Sequence, residues 1–259
     1  MNLIGITSVG PLKEALMAWL DPEVGQRMYR AIIERVGDEP GQCLGHGGYG
    51  TAYALKGDDT KVLKVTGDMS EVLVMSDLPI HPNIVRVYDS FLVKIPQIKP
   101  WTEGFKDAGV GVLIKDRVQS VLGGNDDVSM YLKKIISESK YAAHPVLEMG
   151  VGAPNAETQR LAMEKFIEEL YEWEKTNLVS GWDHEILMGV IDGLEALHKA
   201  GIYTIDAHLN NLGIAHDKVH GERVVFFDIG AASTEDADLM ARLPVLENPP
   251  ARIPRVIPR

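Results

Sequence analysis

Residues 205–230 read IDAHLNNLGIAHDKVHGERVVFFDIG, and the placing of three polar side chains within them decides how the chain is read. Asp206 is followed by Asn211, and Asp228 stands directly before Ile229 and Gly230. Apolar residues bracket the three: Ile202 and Ile205 ahead, Leu212 to Ala215 between, Val224 to Phe227 leading into Asp228. The pattern predicts a loop carrying Asp206 and Asn211, then a short strand–turn–strand, with Asp228 at the strand exit.

Two carboxylates and an amide in that order suit phosphoryl transfer. One aspartate takes the proton of an attacking hydroxyl, while the asparagine and the second aspartate hold magnesium against the phosphates. Short Asp- and Asn-rich loops are also ordinary turn chemistry, because these side chains bond to nearby backbone. What separates the two readings lies upstream.

Residues 45–52 read GHGGYGTA, a glycine-rich stretch between the β-like segments CL and AYAL. Glycines let backbone N–H groups approach a phosphate unhindered by Cβ. No Gly-Lys-Ser/Thr follows, so this is no Walker loop, and no helix is expected next, which argues against a dinucleotide fingerprint. Strand–glycine loop–strand suits a flap over ATP, built from Gly45, Gly47, Gly48, Tyr49, Gly50 and Ala52; a plain hairpin is the simpler alternative. The following strand, Lys61 to Val65, sets Lys64 between branched residues. Under such a flap Lys64 would reach the α- and β-phosphates and would need a carboxylate to hold it. Glu71, opening an apolar helix over Val72 to Leu78, is one candidate, and Asp68 is its rival.

These pieces, with Glu71 ten residues ahead of HPNIV at 81–85, occur in the order of protein kinases. The chain resembles the protein-kinase-like superfamily over roughly 41–232. Thr204-Ile205 replaces the usual His-Arg, and His208 stands where ordinary eukaryotic kinases carry Lys. An Asp-x-His-x-x-Asn loop is similar to that of aminoglycoside-type phosphotransferases. Ser180-Gly181-Trp182-Asp183 and the overall length resemble the short early serine/threonine protein kinases of lytic bacteriophages. On residue grounds alone, Asp183 would cap a helix and Trp182 would pack.

The resemblance implies an α+β, two-lobed fold: a helical segment over 1–40, a small antiparallel-sheet lobe over 41–115, a mainly helical, truncated lobe over 116–240 and a Pro/Arg tail over 241–259. It implies ATP and magnesium as cofactors. Asp206 is then the base, Lys64 braced by Glu71 holds the phosphates, and His208 lies near the γ-phosphate. Asn211 and Asp228 are the metal ligands, and backbone near Ile114 to Arg117 takes the adenine. A protein substrate is expected, host proteins if the chain is phage-encoded, with a small-molecule phosphotransferase or a nucleotide-binding pseudokinase as alternatives.

Elsewhere the chain reads as scaffold. Residues 11–20 and 22–36 predict two helices, the second capped by Asp21 with Pro22 first and Val24, Met28, Ile32, Ile33 and Val36 on one face. Residues 85–95 and 109–114 predict strands, with 115–119 as a hinge. Helices follow from Asp126 or Asp127, from Asn155, and from about His184 to Lys199, stopped at Gly201. Residues 231–259 hold no Ala-Pro-Glu and no run of long helical patterns, so a lobe without the usual substrate-binding half of an animal-type kinase is expected. From Pro249 the tail carries prolines and three arginines and reads as extended.

The totals exclude several classes. The 259 residues carry a net charge of −11, which repels nucleic acid and anionic membrane. One cysteine, Cys43, fits a reducing cytoplasm rather than a disulfide framework. No apolar run reaches transmembrane length, so a soluble cytoplasmic protein is expected.

Overall fold

The computed structural model describes residues 11–20, 22–46, 50–94, 109–121, 127–138, 156–203, 211–217, 221–229, 233–234 and 243–246. The architecture is mixed α+β, and it falls into two compact units. One is drawn from Met1–Val72, Tyr88–Lys115 and Leu243–Arg259, the other from Leu73–Val87 and Asp116–Arg242. Among the described residues no helix is long and apolar enough to cross a membrane.

The first unit begins with α1 (Leu12–Trp19) and α2 (Pro22–Val36). The helical spacing read from the sequence buries Val24, Met28 and Ile32, with Val36 partly buried. Asp21 lies outside the described residues. A six-stranded sheet follows: β1 (Pro40–His46), β2 (Gly50–Leu55), β3 (Lys61–Thr66), β4 (Val87–Lys94), β5 (Gly109–Asp116) and β11 (Val245–Leu246). Its order is β1-β2-β3-β5-β4-β11. Side chains alternate across a strand, so Tyr53, Leu63, Val65, Phe91, Val93, Val110 and Val112 share a core with Leu16, Met28 and Ile32. Burying each of these large apolar side chains contributes roughly 1.5–3 kcal/mol. Arg35 forks onto Asp89 at 2.9 and 3.0 Å and lies over the Phe91 ring, pinning α2 to β4.

Three sequence expectations need correction here. The sheet is not wholly antiparallel, because β11 returns to pair parallel with β4, and Leu92 N–H donates to Pro244 O at 2.9 Å. The helix after β3 is α3 (Met69–Ser76), two residues earlier than its apolar run suggested. Asp68, just before it, accepts the Glu71 N–H, as a capping side chain does. The expected hinge at 115–119 is partly strand: β5 continues to Asp116, and β6 (Gln119–Ser120) pairs with a later strand.

The second unit holds α4 (Asp127–Glu138), α5 (Ala156–Asn177) and α6 (Trp182–Lys199), with β7 (Ile202–Tyr203), β8 (Leu212–Asp217), β9 (Gly221–Phe226) and β10 (Ser233–Thr234). Val128 and Leu132 of α4, and Met163, Phe166 and Leu170 of α5, lie at helical spacing and are buried. Asn155 lies outside the described residues. Helix α6 ends where Gly201 takes a φ of 72°, its N–H reaching His198 O. At its start the expectation fails: Gly181 is the N-cap, no side chain caps it, and Trp182 is 44% exposed. A cap needs a side chain outside the first turn, and Asp183 lies within it.

Glycines let α6 approach its sheet. A Cβ at Gly189 would sit 2.8 Å from Asn83 Nδ2, and one at Gly193 would sit 2.8 Å from the Phe226 ring. Asn83 fills that gap by donating from Nδ2 to Val224 O at 2.9 Å. Its own carbonyl accepts Phe226 N–H, and Val85 N–H donates to Phe226 O, both at 2.9 Å. The HPNIV segment is thus laced along β9, the strand that leads into Asp228.

Candidate functional site

The first cluster stands on the first unit. Ala52 pairs directly with Lys64 across β2 and β3. Lys64 alternates with Leu63 and Val65, so its side chain leaves the sheet on the face away from the α1/α2 core. There Lys64 Nζ lies 2.5 Å from Glu71 Oε1, with the two side chains only 13% and 4% exposed. Removing two charges from water costs several kcal/mol per ion, and mutual attraction seldom repays it with margin. An ion pair kept at that cost is weak evidence for stability and better evidence for a task. Asp68, the rival acid, accepts the Glu71 N–H at Oδ1 and donates its own backbone N–H to Thr66 Oγ1.

The glycines of the flap divide by physical cause. A Cβ at Gly50 would lie 2.6 Å from Val65 O, a backbone atom, so the strand pairing itself demands glycine there. A Cβ at Gly45 would meet nothing within 4 Å, so packing gives no reason for that glycine. Gly47, Gly48 and Tyr49 lie outside the described residues. Lys115, on the strand where adenine recognition was expected, is 3% exposed.

The second cluster stands on the second unit. Strands β8 and β9 form the expected hairpin, and its last ladder pair is Leu212 with Phe226. One step further, Phe227 N–H donates to Asn211 O at 3.0 Å. Asn211 and Asp228 therefore flank the same open end of one hairpin. Asn211 is 6% exposed, although it carries a polar amide. Amide and carboxylate oxygens are hard donors of the kind magnesium takes, so this pair fits the metal that the sequence implies. Among the described residues no three His, Cys, Asp or Glu side chains group as a metal site. Asp206 and His208 lie outside the described residues.

Sequence reasoning missed the role of Asn83. It sat in view within HPNIV, but only the bond to Val224 O shows that it fastens the strand leading into Asp228.

No protein-family model matches the sequence, and no curated protein matches it. Among solved structures, the chain is similar to the crystal structure of the pseudokinase PEAK1 (Sugen kinase 269), with 17% identity and a TM-score of 0.35. The alignment covers 72% of this chain and 40% of that one, so the match spans less than half of the solved chain. A likeness of that size carries no argument, and the functional reading rests on the residues above.

Proposed function

We propose that this protein is a kinase-like phosphotransferase, moving the γ-phosphate of ATP to a serine or threonine hydroxyl of a partner protein. If the chain is phage-encoded, the partners are host proteins. The observation that carries the reading is the buried Lys64–Glu71 ion pair beside the glycine-rich strands. A lysine so braced is a fixed donor for the α- and β-phosphates, and its carboxylate partner stops it from wandering.

Each residue then has one job. Asp206 orients the attacking hydroxyl and accepts its proton as the new P–O bond forms and ADP leaves. Gly45, Gly47 and Gly50 cover the phosphates with backbone N–H groups, and His208 donates a hydrogen bond toward the γ-phosphate. Asn211 and Asp228 hold magnesium, which neutralises charge that builds on the phosphates during transfer. The burial of Asn211 and the bond from Phe227 N–H to its backbone carbonyl support that role, because a ligand must be fixed before the metal arrives.

The test is incubation of the protein with labelled ATP, magnesium and a bacterial lysate. Labelled protein bands that disappear with Asp206→Asn are expected, since losing a positioned base costs ~10²–10⁴ in rate. Label confined to small molecules would replace the protein acceptor with a metabolite. Thermal stabilisation by ATP with no transfer at all would reduce the chain to a nucleotide-binding module.

A further inference from the structure

The turn between α5 and α6 presents two large apolar side chains to water. Leu178 is 86% exposed and Trp182 is 44% exposed, four residues apart at either end of one turn. Leu178 also holds a φ of 50°, and among the described residues it is the one non-glycine with positive φ. The N–H of Val179 reaches Glu174 O at 3.3 Å, which places Leu178 at the helix-ending position where glycine is the usual residue. Neither folding term favours leucine there, since burial is absent and the backbone conformation penalises a Cβ.

The turn is held firmly rather than loosely. His184 Nδ1 lies 2.8 Å from Glu174 Oε1, which joins the two helices at their ends. Tyr131 of α4 packs edge-on against Trp173 behind them. A rigid support presenting an indole and a branched aliphatic is the anatomy of an interface centre, where tryptophan is enriched. The surrounding charge selects the occupant. Between residues 168 and 185 six acids stand against one cation, Lys175. Asp183 and Glu185, beside the indole, are both exposed.

We infer that the α5–α6 turn is a docking point for a basic protein segment that carries a bulky apolar residue between lysines or arginines. The apolar residue covers Leu178 and Trp182, and the cations meet the acidic rim, which speeds encounter and excludes acidic partners. This inference does not depend on the phosphotransfer reading and is tested by binding alone.

The probe is a displayed library of random twelve-residue peptides, panned against the whole chain. Enriched peptides are expected to combine at least two basic residues with a large apolar one. Their affinity should fall at least about tenfold in Leu178→Gly and in Trp182→Ala. It should also weaken from about 0.1 M to about 1 M salt, as the screening length drops from about 10 Å to about 3 Å. Because glycine suits position 178 better, Leu178→Gly should melt about 2–4 °C higher while binding worse, so lost binding cannot be blamed on unfolding. Peptides that lack basic residues, peptides indifferent to both substitutions, or no enrichment at all would overturn the inference.

Discussion

At the scale of single residues, substitutions at the Lys64–Glu71 pair should separate stability from the proposed phosphate transfer. Lys64→Ala takes the ammonium away from the buried Glu71 carboxylate and should cost ~3–5 kcal/mol, read by denaturant unfolding. Replacing both partners with apolar residues of similar volume, Lys64→Met with Glu71→Leu, should recover most of that loss, because the burial penalty goes with the charges. The double variant should still fail to transfer phosphate. Recovery of activity along with stability would make the pair a structural bolt. A second residue speaks through pH. Lys61, 2.8 Å away, and the hydroxyl and amide of Thr60 hold the Asp58 carboxyl at about 2, below its ordinary 3.8. A depressed folded pKa gives stability that is complete above the unfolded value and is lost as pH falls through the folded one. Asp58→Asn should therefore melt lower than the parent at pH 5 and above, and the difference should close between about pH 4 and pH 2.

At the scale of elements, the glycine-rich strands offer a direct comparison. Gly50→Ala drives a Cβ into the Val65 carbonyl and should destabilise the fold by about 1–3 kcal/mol. Gly45→Ala meets open space, so its melting temperature should stay level. If that glycine serves a phosphate, the KM for ATP should rise about tenfold in Gly45→Ala, equivalent to about 1.4 kcal/mol. An unchanged KM would make β1 and β2 a plain hairpin. The elements also show what a sequence can disclose. Helix α2, strand β3, the β8–β9 hairpin and the Gly201 stop are all local: period, branching and one turn residue define them. Strand β11 is not local, because Val245 and Leu246 gain their partners only from β4, far back in the chain. Trp182 misled for a related reason. An aromatic at a helix start packs when a neighbour covers it, and no local pattern reports whether one does. The site shows the same split. The order of Lys64, Glu71, Asn211 and Asp228 was legible, whereas the ties that seat them, from Asp68 to the Glu71 amide and from Phe227 to Asn211, belong to the folded backbone.

At the scale of the whole molecule, the chain leaves its first unit after β5, builds most of the second, and comes back to finish the first. The returning piece is small but well placed: Leu243 is buried, Pro244 O receives Leu92 N–H, and β11 covers the outer side of β4. A chain stopped at residue 242 should lose that cover. Its unfolding midpoint should drop, and it should associate at concentrations where the full chain stays monodisperse, because an uncovered strand edge invites pairing. Light scattering beside a melting curve would check both, and equal behaviour of the two chains would show that β11 is dispensable.

That return path also constrains birth on the ribosome. While residues 116–242 are being threaded out, β4 must wait with one flank bare, because β11 is not yet made. Synthesis that stalls in this interval leaves a half-closed domain for chaperones to shield, so the vulnerable period for this protein opens before half of it has been made and ends only when β11 arrives.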